Sequence, residues 1–127
     1  AATLEELEPL RCGFRAKYLL DAARRVSSGQ VQLDAIPQMP LEQARAHLMQ
    51  IVGVGPKVAD CALLYGFHRL ECCPMDVWMK RVFAALYPNG LPDCAQDFIG
   101  IAQQYLFHYV RCCPQILEAP EKEAALV

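Results

Sequence analysis

The stretch Gly53-Val54-Gly55-Pro56 limits what this chain can fold into more than any other four residues. Before it, LEQARAHLMQIV (41–52) carries Leu41, Ala44, Leu48 and Ile51 at helical spacing. After it, KVADCALLYGF is again apolar and helix-forming, and Pro56 suits the first turn of that helix because its missing N–H would be unpaired there anyway. Two glycines allow left-handed backbone and a close approach to another molecule. The pattern therefore predicts a helical hairpin over 41–67.

The rest of the chain follows the same period. Residues 14–27 place Phe14, Tyr18, Leu19, Ala22 and Val26 on helical spacing, and Gly29 can end that helix. The stretch with Pro37 and Pro40 reads as a loop or short turn. Asp76 is a good N-cap for VWMKRVFAALY, and Pro88 ends that helix. Asp93 is a candidate cap for a helix over 95–110, and 115–126 reads as a last helix or a frayed tail. No convincing strand, repeat or low-complexity tract stands out. The fold class expected is all-α, with about six helices in a single domain over 1–127 and an acidic tail at 115–127.

Bulk properties narrow the function classes. Hydrophobic residues make up 54% of the chain, enough for a packed core. No apolar run reaches the roughly 20 residues needed to span a bilayer, and no signal peptide is visible. The chain starts at Ala1 rather than Met, as a fragment or a processed chain would. Seven cysteines are present, including the adjacent pairs Cys72-Cys73 and Cys112-Cys113. None has the C-x2-C spacing of a zinc site, and the four-cysteine loop of an iron–sulfur protein is absent. Reduced thiols and no metal are expected. The net charge of −2 speaks against a nucleic-acid binder. Six glutamates sit at the two ends, however, and residues 11–111 carry 11 Lys or Arg against 8 Asp or Glu. A basic face is compatible with that distribution.

The hairpin invites a chemical reading. A helix that starts after a glycine turn presents free N–H groups and a partial positive charge, which is a ready anion site. The plain alternative is a tight turn between helices, and from the glycines alone that alternative is favoured. Lys57 alters the balance. In the first turn of a helix the dipole disfavours a cation, and burial among Val54, Val58 and Cys61 would lower its pKa further. A neutral amine there is a nucleophile able to form a Schiff base. The alternatives are a lysine that reaches solvent or one that pairs with Asp60. Cys61 lies at i+4 from Lys57, on the same helix face. Asp76 can steer protons or stabilise developing positive charge, or only cap its helix.

Four segments together resemble a known family. GVGPKVADC followed by PMDVWMKR is similar to the helix-hairpin-helix and Gly/Pro…Asp signature of a DNA glycosylase superfamily. Within it, the hairpin resembles that of the 8-oxoguanine DNA glycosylase/AP lyase family, L-P-G-V-G-x-K-V-A-D-C, with its later P-V-D-V. RCGFRAKYLLDA (11–22) is similar to the family's G-[YF]-R-A-[RK]-Y helix, and GIAQQYLF (100–107) to its G-x-A-Q-x-x-L-F helix. The matches run in order over about 11–110 and are more similar to the bacterial branch than to the animal one.

The resemblance implies a catalytic pair, Lys57 attacking C1′ of the damaged nucleotide and Asp76 as the essential carboxylate beside it. It implies a base pocket in which Gln103 reads the Watson–Crick edge of the flipped base, Phe107 stacks on one base face and Cys61 lies against the other. It also implies DNA contacts from Gly53, Val54, Gly55 and Val58 in the hairpin, with Phe14 as a wedge and Arg15 facing the orphaned base. Trp78 stands where animal members carry a histidine near a phosphate, and its indole N–H can donate one hydrogen bond. Val52 replaces the family's usual proline. Without the family, Phe107 and Phe14 read as core aromatics, Gln103 as a surface amide and Arg15 as a solvated charge.

The implied partner is double-stranded DNA containing 8-oxoguanine or abasic sites, handled by base excision and β-elimination, with no cofactor, no iron–sulfur cluster and no membrane. The implied setting is intracellular, the bacterial cytoplasm or, in a eukaryote, the nucleus. The family's N-terminal portion, which supplies part of the base pocket, has no counterpart here. Two rival readings stand beside this one: a noncatalytic helix-hairpin-helix DNA-binding module, and an all-α interaction domain whose lysine is incidental.

Overall fold

Helix ends in this protein are set by local hydrogen bonding. In the computed structural model, which describes residues 2–117, helix α1 (Leu4–Leu7) begins at Thr3. The Thr3 hydroxyl accepts from the Glu6 N–H, and the Glu6 carboxylate accepts from the Thr3 N–H at 2.8 Å, a reciprocal cap. A 3₁₀ turn, Gly13–Arg15, leads into α2 (Ala16–Ser27). Another 3₁₀ segment, Leu33–Gln38, fills the proline-bearing connection. Then come α3 (Leu41–Leu48) and α4 (Pro56–Phe67), which His68 ends in left-handed conformation at φ 55°. Asp76 caps α5 (Val77–Leu86) by accepting from the Met79 N–H at 2.7 Å. After a 3₁₀ segment, Asp93–Phe98, the chain forms α6 (Ile99–Cys112). Among the described residues there are six α-helices and no strand, the all-α class read from the sequence.

Contacts divide the chain into two compact units, with the boundary between His68 and Arg69. The first is built on α1–α4, and its buried side chains include Leu20, Val31, Ile36, Ala44, Leu48 and Leu63. The second is built on α5 and α6. There Met79, Val82 and Val110 form a buried cluster, with Trp78, Phe83, Leu106 and Phe107 packed against it. The N–H of Gly100, in the first turn of α6 and so without a partner in its own helix, donates to the Leu70 carbonyl at 2.9 Å. That bond ties the connection before α5 to the start of α6.

Several boundaries differ from the sequence expectation. The helix expected over 14–27 begins only at Ala16, because Phe14 and Arg15 belong to the 3₁₀ turn. The helix expected over 41–52 stops at Leu48, where Met49 and Gln50 close a final turn and Ile51–Val54 reverse the chain. Asp93 caps nothing: no side chain caps the 3₁₀ segment it begins, and α6 starts six residues later. Pro114–Leu117 form a 3₁₀ turn, and the remainder of the segment read as a last helix or acidic tail lies outside the described residues. No helix among the described residues is long and apolar enough to cross a membrane.

Candidate functional site

In the first unit the candidate residues gather at the turn between α3 and α4. Gly53 has φ +85°, and a Cβ built on it would lie 2.6 Å from the Tyr18 ring. Glycine is therefore required twice over, by backbone angle and by the ring of α2 pressed against it. Gly55 is different. It is extended, at φ −94° and ψ −177°, and serves as N-cap of α4, so only one of the two hairpin glycines uses left-handed backbone. No side chain caps α4, and its first-turn N–H groups at Lys57 and Val58 have no intrahelical acceptor.

The α2 face anchors this turn. The Val52 N–H donates to Asp21 Oδ2 at 2.7 Å, and the same oxygen accepts from Arg25 Nε at 2.8 Å. These bonds, the Val52 N–H first, hold the Asp21 carboxyl below its ordinary value. One turn earlier on α2, the Tyr18 ring meets Phe14 edge-on at 6.1 Å, and the Arg15 guanidinium lies 4.7 Å from the Phe14 ring centre. Phe14, Arg15, Tyr18, Gly53, Val54 and Val58 line an open apolar hollow of about 410 Å³. Phe14 is 65% exposed, so its core reading does not hold.

Lys57 is exposed, contrary to the burial expected among Val54, Val58 and Cys61. Its neighbour Val58 is 46% exposed. The pairing with Asp60 is also absent. Asp60 is buried and accepts from Arg45 Nε at 2.8 Å, and Arg45 also pairs with Glu42. Among the described residues Lys57 forms no ion pair, and Cys61 stands half-buried one turn further along α4.

The second unit holds the other candidates. Asp76 uses its carboxylate as the cap of α5. Gln103 is buried at 2% exposure, not the surface amide of the plain reading, and its Oε1 accepts from Gln104 Nε2. Phe107, one turn on, packs on the Met79–Val82–Val110 cluster, with the Arg111 guanidinium 5.8 Å from its ring centre. Trp78 departs from expectation. Its Nε1 is buried and has no hydrogen-bond partner among the described residues, so the indole N–H is not presented for the phosphate contact expected of it. No group of three or more metal-ligating side chains occurs among the described residues.

No protein-family model matches the chain. Known proteins do. A probable N-glycosylase/DNA lyase of Methanothermobacter thermautotrophicus is 37% identical over 119 residues, covering 86% of this chain and 38% of that protein. MBOgg1, solved in complex with a low-affinity DNA ligand, is 43% identical with a TM-score of 0.76, over 89% of this chain and 43% of that one. The Clostridium acetobutylicum 8-oxoguanine glycosylase/lyase, solved with double-stranded DNA containing cytosine opposite 8-oxoG, is 32% identical with a TM-score of 0.74, over 89% of this chain and 42% of that one. This chain is a relative of the 8-oxoguanine DNA glycosylase/lyases.

It spans about two-fifths of the length of the glycosylase/lyases it matches. Within that span, sequence reasoning passed over two supports of the glycosylase-like hairpin. Tyr18 read only as an apolar position on a helix, although its ring is what crowds Gly53. Asp21 gave no signal beyond an acid four residues before Arg25, and its partner Val52 lies 31 residues away. The Arg45–Asp60 pair is equally non-local, at a separation of 15 residues.

Proposed function

We propose that this chain carries the Schiff-base chemistry of a bifunctional 8-oxoguanine DNA glycosylase, with Lys57 as nucleophile. One observation supports this above the rest. An exposed amine with no ion-pair partner among the described residues sits in the first turn of an uncapped helix, directly after a glycine turn, in a chain related to glycosylase/lyases. The uncapped N–H groups suit a DNA phosphate, and the adjacent amine suits the sugar next to it.

In the proposed reaction the Lys57 amine forms a bond to C1′ while the bond from C1′ to the base breaks, its electron pair leaving with the base. One amine proton passes to O4′ as the C1′–O4′ bond breaks, which opens the sugar and leaves an iminium between Nζ and C1′. The iminium acidifies the C2′ hydrogen; loss of that proton and departure of the 3′ oxygen cut the strand by β-elimination. The family resemblance assigns Asp76 the role of essential carboxylate, and Gln103, Phe107 and Cys61 the role of reading and stacking the base. Phe14 and Arg15 act on the duplex from the α2 side of the hairpin. The step uses no metal or redox cofactor, and its DNA substrate implies an intracellular setting, bacterial cytoplasm or nucleus.

Borohydride trapping with 8-oxoguanine and abasic duplexes tests this reading. Wild type should yield a covalent adduct, with chelator present, and Lys57→Gln should yield none. An undiminished adduct from Lys57→Gln would sink the assignment. A second reading, a helix-hairpin-helix module that binds DNA without chemistry, draws on the uncapped N–H groups after the glycine turn, which suit a phosphate by themselves. Salt-dependent DNA binding with neither adduct nor nicking would favour it. An adduct with abasic DNA alone would restrict the activity to the lyase half.

A further inference from the structure

The last turn of α6 holds a pair of side chains that the proposed repair chemistry does not use. Cys112 Sγ lies 3.7 Å from His108 Nε2, at i,i+4 spacing on one helix face. Both residues are exposed. We propose that His108 and Cys112 form a two-point chelate for a borderline-soft divalent ion such as Zn²⁺.

The geometry carries the inference. A tetrahedral zinc ion with Zn–S of about 2.3 Å and Zn–N of about 2.0–2.1 Å holds its sulfur and nitrogen about 3.6 Å apart. The observed separation of 3.7 Å lets both donors reach one ion without moving the helix. The ligand types fit as well, because thiolate with imidazole is a common zinc pairing. Position adds a further contribution. Cys112 is the last residue of α6, where unpaired carbonyls give the helix end a partial negative charge that favours a cation. Arg111, the cation of that last turn, has its guanidinium beside the Phe107 ring. Among the described residues no third His, Cys, Asp or Glu joins the pair. Binding releases the Cys112 thiol proton as the S–metal bond forms, so it strengthens with rising pH.

The test uses the whole chain and Co²⁺ as a spectroscopic stand-in for Zn²⁺. Titration of the reduced protein should raise a thiolate-to-cobalt absorption band, and added Zn²⁺ should displace it. Cys112→Ser should abolish the band, and His108→Gln should weaken binding by about tenfold or more, since each removes one of two donors. Cys94→Ser, which removes another exposed thiol, should leave the titration unchanged. Peptide mapping supplies a second readout: Zn²⁺ should slow alkylation of Cys112 relative to Cys94. A band that survives in Cys112→Ser, no band in wild type, or equal alkylation of the two cysteines with and without Zn²⁺ overturns the proposal.

Discussion

Gly53 shows how much one residue can be required to do. Any side chain there must tolerate φ +85° and also displace the Tyr18 ring, which a Cβ would approach to 2.6 Å. Gly53→Ala should therefore cost about 1–3 kcal/mol, the range for strained non-glycine backbone. Urea melts of the two proteins measure it. The same substitution at Gly55 meets open space and extended backbone, and should cost much less. A near-equal loss at both positions would remove the special role given to Gly53. The sequence showed both glycines and offered no means of ranking them, because the ranking depends on a ring 35 positions earlier in the chain.

Capping and pairing decide the helices as elements. Asp76 has two roles to separate. Its carboxylate accepts the Met79 N–H and so begins α5, and the proposed chemistry also needs its charge. Asp76→Asn keeps a good cap and loses the charge, so stability should change by less than about 1 kcal/mol while borohydride trapping falls sharply. Thermal melts run beside the trapping assay separate the roles; parallel losses would leave Asp76 a cap only. On α3 and α4, Arg45→Met strands the buried Asp60 carboxylate and should cost about 3 kcal/mol. Adding Asp60→Leu should recover much of that loss in chemical denaturation, because an uncompensated charge is the larger part of the cost.

Helix existence was legible because a 3.6-residue apolar period survives in α2 through α6. Helix ends were less so. Gly13–Arg15 and Asp93–Phe98 share the composition of the helices they precede, and a 3₁₀ turn leaves the same apolar spacing. Helix α1 escaped notice although its Thr3 and Glu6 spell a capping box, since four residues give no period to read. The chemical candidates were legible as residue types in a familiar order. Their surroundings were not: the exposure of Lys57, the burial of Gln103 and the inward indole N–H of Trp78 are products of packing.

For the molecule as a whole, pH acts through the carboxylate that holds the hairpin turn. Asp21 is held below its ordinary value of 3.8 in the folded chain, so unfolded chains take up its proton more readily. Its contribution is complete above that ordinary value and disappears as pH falls through the lower folded one. Wild type should therefore be more stable than Asp21→Asn near neutrality, and the gap should close below about pH 4. Melting curves across that range decide it; two profiles that stay parallel into acid would mean the carboxylate is not the anchor.

The Asp21–Val52 bond also sets an order of events. It closes 31 residues of chain, whereas α3, the turn and α4 meet through neighbours in sequence. Long closures are entropically dear until their contacts form, so the hairpin assembles first and α2 latches onto it later. A latch made after the rate-limiting step leaves refolding almost untouched when it is removed and speeds unfolding instead. Stopped-flow traces of Asp21→Ala should show that asymmetry: a turn that folds at its usual pace and is held for a shorter time.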